Sequence, residues 1–299
     1  METQNEQKIP VTLVTGFLGA GKTTLLNHLL TQWQSERLAV IVNEFGDVGI
    51  DDKLLLRTDE EIFEMNSGAM CCAMRGDTTK VLLKLVEQKG GAFDRVVIET
   101  TGLANPVPVA RLFFEKPALK NRYRLDAIVT LVDASQVLQQ LQETPEAKVQ
   151  IAAADIILLN KVDLADERTR GIARMQIRKI NPLASIRETS HSNLSLEDLK
   201  QIDADQTYVR ELSDGDGHSH NEDVHSFVLR AEKPLDLSKV ARWVGEMLVL
   251  NGDKLMRYKG LLDIAGMDER FVFQGVYRHF ENTKDRPWQE DEERVSQVV

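Results

Sequence analysis

Cysteine is nearly absent from this sequence. The two present, Cys71 and Cys72, are adjacent, so they are poorly placed for a disulfide framework and read as thiols in a reducing compartment. Long apolar runs are missing too: no stretch approaches the roughly 18 residues that a spanning helix needs. Thr3 to Lys8 is polar and lacks the apolar segment of a signal peptide. A cytoplasmic protein without a membrane partner is therefore expected. Positive charge is in deficit, with 37 Lys and Arg against 47 Asp and Glu for a formal net charge of −10, which argues against nucleic acid as a partner. What is plentiful is core-forming material. With 299 residues, 42% of them hydrophobic, the chain can build a large domain and a smaller one.

Short apolar runs alternate with helical patterns up to about residue 210, the signature of βα units around a mostly parallel sheet. Strands are expected at Val11–Thr15, Leu38–Val42, Arg95–Ile98, Ala127–Val132, Ile156–Leu159 and Ser185–Arg187. Helices are expected at Thr79–Glu87, Pro106–Phe114 and Glu167–Ile180. Residues 213–223, Ser-Asp-Gly-Asp-Gly-His-Ser-His-Asn-Glu-Asp, lose all apolar character and read as a linker. Beyond it, Val224–Leu229, Leu261–Ile264 and Arg270–Val276 look like strands and Leu237–Leu248 like an amphipathic helix. The expected organisation is an α/β P-loop domain over residues 1–212 and a small α+β domain over 224–299. Ser296 to Val299 ends on two valines in a strand pattern, which is unusual for an edge strand and suggests a truncated C-terminal domain.

Gly16 to Thr23 reads Gly-Phe-Leu-Gly-Ala-Gly-Lys-Thr, a complete P-loop between an apolar run and a helix. Gly16, Gly19 and Gly21, with Ala20 between them, let backbone N–H groups converge on phosphate oxygens, and the helix dipole adds to the same anion. Lys22 would reach the β- and γ-phosphates, and Thr23, followed by Thr24, would place its hydroxyl on Mg²⁺. The strand ending at Ile98 runs into Glu99-Thr100-Thr101-Gly102. There Glu99 is expected to hold Mg²⁺ through water or orient the attacking water, and Thr101 and Gly102 to approach the γ-phosphate. Asn160-Lys161-Val162-Asp163 follows another strand. Asp163 would accept from the N1–H and 2-amino groups of guanine, Asn160 would bond the ring edge, and the Lys161 stem would pack on the base. The expected cofactor is therefore GTP with Mg²⁺.

Glu44 and Asp47, in Asn43-Glu44-Phe45-Gly46-Asp47, are positioned as a first switch carrying carboxylates toward magnesium or a second metal. Between the switches lie Cys71 and Cys72, ligands suited to Zn²⁺ or Co²⁺, although two adjacent cysteines by themselves are more often buried small hydrophobes.

These motifs, together with Val42–Asp51, Arg257-Tyr258-Lys259-Gly260 and Phe273-Gln274-Gly275-Val276, stand in the order of the CobW-type metallochaperone GTPases. The chain resembles that SIMIBI-class family over nearly its whole length. The resemblance implies a GTPase that couples nucleotide to a transition metal, zinc or cobalt, and delivers it to a client protein, with a homodimer as one possible state. In the family the metal motif is Cys-x-Cys-Cys. Here Ala69 replaces the first cysteine, leaving Ala69-Met70-Cys71-Cys72, so Glu44, Asp47, a histidine or water would complete the site. His218, His220 and His225 resemble, sparsely, the His-rich segment of some members; solvated loop histidines are the equal alternative. Two other readings stand beside the metallochaperone: a P-loop small-molecule kinase, and a nucleotide-gated binding module without metal transfer.

Overall fold

A computed structural model describes residues 8–32, 37–43, 62–64, 70–74, 78–89, 93–182, 184–194, 227–290 and 292–299. The chain divides into two compact units, Met1–Gln206 and Thr207–Val299. The linker at 213–223 lies outside the described residues.

The first unit runs β1 (Ile9–Gly16), α1 (Lys22–Gln32), β2 (Leu38–Asn43), β3 (Ile62–Glu64), β4 (Met70–Met74), α2 (Thr78–Lys89) and β5 (Arg95–Glu99). It continues with α3 (Val107–Glu115), α4 (Pro117–Lys120), β6 (Tyr123–Asp133), α5 (Val137–Glu143), α6 (Pro145–Ala153), β7 (Ile156–Asn160), α7 (Glu167–Ile180) and β8 (Ser185–Glu188). The eight strands form one sheet in the order β3-β4-β2-β5-β1-β6-β7-β8. Neighbours pair in parallel except β3 with β4. This is the expected P-loop α/β fold, and each of the six expected strands is present. β3 and β4 are additions that the sequence pattern does not announce.

Burial explains the continuous apolar runs. Val11, Leu13 and Val14 of β1 are all buried, as are Ile156 to Leu159 of β7, because helices cover both faces of a parallel sheet. On one side Leu25, Leu26 and Leu29 of α1 pack with Val14, Val40, Val97, Val129 and Leu158. Around β7, Val137, Ile151, Ala173 and Ile177 from α5, α6 and α7 close over Val132, Ile157 and Leu159. Below the site, the buried Arg95 of β5 pairs with Asp126 of β6 and donates to Thr12 Oγ1 of β1 at 3.1 Å, holding three central strands in register.

Among its described residues, the second unit is a five-stranded antiparallel sheet with one helix. It runs β9 (Leu229–Ala231), α8 (Leu237–Asn251), β10 (Tyr258–Leu262), β11 (Glu269–Val276), β12 (His279–Pro287) and β13 (Ser296–Val298), in the sheet order β12-β11-β10-β13-β9. Asp236 caps α8 by accepting from the Lys239 N–H at 2.9 Å, and Val244 and Leu248 of the helix pack on Tyr258, Leu262, Phe273 and Val298. β13 is interior, between β10 and β9, which accounts for the burial of Val298. β9 begins where Val224–Leu229 was expected to end, because its register is set by pairing Leu229, Arg230 and Ala231 with β13; Val224 to Ser226 lie outside the described residues.

The motifs around Tyr258 and Gly275 acquire a physical role in this sheet. Tyr258 stands opposite Gly275 and Gly260 opposite Phe273. A Cβ on Gly275 would lie 2.1 Å from the Tyr258 ring, and one on Gly260 would lie 2.5 Å from the Phe273 ring. Each aromatic ring thus occupies the space left by the facing glycine, and the two rings meet with centroids 5.6 Å apart. The Tyr258 hydroxyl donates to the His279 carbonyl at 2.9 Å, and burial pushes its pKa upward.

Candidate nucleotide site

The site lies at the carboxyl ends of four neighbouring strands, β5, β1, β6 and β7, where open parallel sheets gather ligands. β1 ends in Gly16, whose φ of 140° and closeness to β6 both require glycine: a Cβ there would lie 2.3 Å from the Leu131 carbonyl oxygen. Gly19 has φ 74°, and Gly21, with φ 108°, meets the same double requirement, since its Cβ would fall 2.4 Å from Ser192 Oγ and 2.5 Å from Asn160 Nδ2. α1 begins at Lys22, so the first N–H groups of the helix lie at the loop, where they have no intrahelical partner. Lys22 is buried, and its Nζ donates to the Gly16 carbonyl at 2.9 Å and the Phe17 carbonyl at 3.2 Å. Ala20 is buried, Thr23 half-buried and Thr24 exposed.

β5 ends in the buried Glu99, in register with Val14 of β1. Thr100 bridges to β1: its N–H donates to the Val14 carbonyl and its hydroxyl to Thr15 Oγ1, at 2.9 and 2.8 Å. The chain then passes Thr101 and Gly102, with the Ala104 N–H returning to the Thr101 carbonyl at 3.0 Å. Gly102 lies against the P-loop, where a Cβ would stand 2.9 Å from Leu18 N and 2.5 Å from its side chain.

At the end of β7, Asn160 is buried and ties three segments together. Its Nδ2 donates to the Ala20 carbonyl and to Ser192 Oγ, both at 2.8 Å, and its Oδ1 accepts from the Ser192 N–H at 2.8 Å. Ser192 Oγ in turn donates to the Gly21 carbonyl at 3.0 Å. The amide assigned to the ring edge is thus engaged with the P-loop and the loop after β8. Lys161 has a left-handed backbone, φ 58°, and its ammonium reaches Asp133 Oδ2 at 2.8 Å. Burial alone would raise the Asp133 carboxyl, but hydrogen bonds from Lys161 and from the Ser135 hydroxyl and N–H outweigh it and hold it below the ordinary range. Asp163 sits exposed in a 3-10 turn, Val162–Leu164, ahead of α7.

The candidate metal residues are divided differently. Cys71 and Cys72 lie within β4, in register with Val40 and Ile41 of β2 and with Phe63 and Ile62 of β3. Glu44, Asp47, Ala69, His218, His220 and His225 fall outside the described residues. Among the described residues no group of three His, Cys, Asp or Glu side chains is arranged to hold a metal ion.

A family model described as the CobW/HypB/UreG nucleotide-binding domain matches residues 10–188. The chain belongs to the CobW/HypB/UreG family. The family's cobW C-terminal domain, described under cobalamin synthesis, matches residues 224–299. Among curated relatives, the zinc chaperone YjiA of Escherichia coli is 37% identical, with 97% of this chain and 93% of the relative covered. The zinc chaperone CobW of Pseudomonas aeruginosa is 33% identical over 98% and 87% of the two chains. The crystal structure of Zn(II)-bound YjiA GTPase from E. coli superimposes with a TM-score of 0.71 at 35% identity, covering 97% of this chain and 93% of that one. The expected enzyme class, a GTPase, is the class named there.

Four participants escaped the sequence reading: Asp133, Ser135, Gln150 and Ser192. Inspection of every strand end, the rule that located Glu99 and Asn160, also points to Asp133, the last residue of β6, but does not reach Ser192, which lies beyond the end of β8 without a motif around it. Gln150, in the interior of a helix, carries no such signal.

Proposed function

We propose that this protein is a Mg²⁺-dependent GTPase that carries a transition metal, zinc ahead of cobalt, and releases it to a client protein when GTP is hydrolysed. The observation that carries the reading is the convergence of Gly16–Thr23, Glu99–Gly102 and Asn160–Asp163 at the ends of four adjacent strands. The naming of its relatives as zinc chaperones supports the cargo.

Gly16 to Thr24 cradle the phosphates through backbone N–H groups, and Lys22 exchanges the carbonyls of Gly16 and Phe17 for β- and γ-phosphate oxygens, a stronger charge-assisted interaction. Asp163 accepts from the guanine edge, the Lys161 stem, fastened by Asp133, lies along the base, and Asn160 keeps the base loop in step with the P-loop. Mg²⁺ fits the oxygen donors present, since Thr23 opens α1 and Glu99 ends the strand beside β1. Those two residues would hold it, Glu99 through water, and the ion supplies charge neutralisation on the phosphates. Thr101 and Gly102 meet the γ-phosphate. The zinc cargo would draw on Cys71, Cys72, Glu44 and Asp47, the set that Ala69 leaves one sulfur short; because neighbouring residues of a strand face opposite sides of a sheet, β4 must open at the pair for both thiolates to reach one ion. Because β4 pairs with β2, which leads into the first switch, nucleotide and zinc share one stretch of structure and raise each other's affinity by the same factor.

Titrating Zn²⁺ with and without a non-hydrolysable GTP analogue tests the coupling. Tighter zinc binding in the presence of the analogue is expected, and equal affinities would sink it. Competition between GTP and ATP separates the GTPase from a small-molecule kinase.

A further inference from the structure

Gln150, near the end of α6, is 1% exposed. Its Nε2 donates to two carbonyl oxygens of the loop after β5, those of Gly102 and Ala104, both at 3.1 Å. Both amide hydrogens are therefore used on one short segment, a fork that fixes two peptide planes at once. The helix that carries the fork is itself secured. The Gln150 carbonyl accepts from the Thr130 hydroxyl of β6 at 2.8 Å. Just beyond, the Asn181 amide donates to the carbonyls of Ile151 and Ala154 at 2.9 and 2.8 Å. The segment held by Gln150 is the one that brings Gly102 against Leu18 of the P-loop. Burying an amide costs free energy unless its hydrogen bonds are made, so a buried glutamine spent on a loop at the phosphate end marks the position of that loop as what it maintains.

We propose that Gln150 is a positioning residue for hydrolysis: its amide holds the loop after β5 so that Gly102 stands at the γ-phosphate, setting turnover without contributing to nucleotide affinity. The inference rests on the GTPase reading. In the step concerned, water adds to the γ-phosphorus and the bond from that phosphorus to the β–γ bridging oxygen breaks. GDP keeps the bond's electron pair, and inorganic phosphate and a proton are released. Gln150 touches none of these atoms and acts through the Gly102 and Ala104 backbone.

The test is single-turnover GTP hydrolysis and fluorescent GDP and GTP-analogue binding on the full chain, for wild type, Gln150→Met, Gln150→Glu and Thr130→Val. Gln150→Met, close in shape but without donors, is expected to lower the hydrolysis rate by about 10-fold to 100-fold, the scale of a small misplacement of reacting groups, with nucleotide affinities within about twofold. Gln150→Glu can donate only while protonated, and burial raises a carboxyl pKa. Its rate relative to wild type should therefore recover as pH is lowered, which a purely structural defect would not do. Thr130→Val, which removes one anchor of α6 but keeps the fork, should lose far less of the rate than Gln150→Met. A Gln150→Met rate equal to wild type, an equal loss in Thr130→Val, or a loss of affinity alone would overturn the proposal. Should Gln150→Met not fold, the Gln150→Glu pH profile decides. A wild-type chain that binds no GTP or does not hydrolyse it would sink the GTPase reading first and this inference with it.

Discussion

Lys161 is anchored before any base arrives. Its ammonium is paired with Asp133, whose carboxyl is held below the ordinary range after hydrogen bonds from Lys161 and Ser135 outweigh burial. Asp133→Asn is expected to weaken fluorescent GDP binding by about 10-fold, the scale of one charge-assisted hydrogen bond, because the Lys161 stem loses its tether. A lowered folded-state pKa means the interaction is complete above the unfolded value of about 3.9 and fades only as pH falls through the folded one. Guanine-nucleotide affinity should therefore carry no Asp133-dependent change between pH 8 and pH 5, and a titration across that window checks it. Gly21→Ala is the sharper steric test. With φ 108° and its Cβ aimed at Ser192 and Asn160, it should abolish measurable nucleotide binding in the same assay while α1 and the sheet persist by circular dichroism. The phosphate end was legible from sequence because a P-loop is contiguous. The partners of Asn160 were not, since Ser192 is brought to it by strand order and not by spacing, and a lone serine after a strand has no pattern of its own.

Among the elements, the clearest dependence is that of β10 on β11. Tyr258 against Gly275 and Phe273 against Gly260 form a reciprocal lock, each ring filling the gap opposite. Gly275→Ala is expected to destabilise the second unit by about 1–3 kcal/mol through overpacking, read from the midpoint of urea unfolding. Tyr258→Phe, which keeps the ring and loses the bond to His279, should cost only about 1 kcal/mol. Most of the elements that sequence periodicity found have a buried face, although β8, half-buried or exposed throughout, was found without one. β12, His-Phe-Glu-Asn-Thr-Lys-Asp-Arg-Pro, lies at the sheet edge and has no buried residue, so it shows no apolar alternation and is absent from the expected strands. β4 has only Met70–Met74 to announce it and owes its definition to pairing on both sides. α5 and α6 are separated by Thr144 alone, with Pro145 opening α6, and the seven residues of α5 are too few to display a helical period.

For the whole molecule, both units bury charge: beside the Arg95–Asp126 pair of the first, the second has a cluster around Arg270, which is 1% exposed and paired with Asp285 and Glu292. Burial opposes the charge on Glu292, but hydrogen bonds from Arg286, the Gln289 N–H and Arg270 bring its pKa down to about 2. The sign follows: this cluster stabilises the fold fully above pH 5, and the contribution drains away as pH falls toward 2. Glu292→Gln should lower stability at neutral pH by about 3 kcal/mol, the cost of breaking a buried pair, and flatten the acid limb of the unfolding curve in calorimetry. The family was readable from motif order, and a second domain was expected from the loss of apolar residues at 213–223. The proposed metal ligands were readable only as residue types, because Ala69 breaks the family's pattern where it would have been most telling. One consequence of the sheet order concerns synthesis. β1 is central, paired with β5 on one side and β6 on the other, so its apolar stretch Val11 to Val14 leaves the ribosome long before either neighbour exists. At translation speeds of about 5–20 residues per second, the nascent chain carries that sticky strand uncovered for several seconds, making it the segment for which a ribosome-bound holdase would compete.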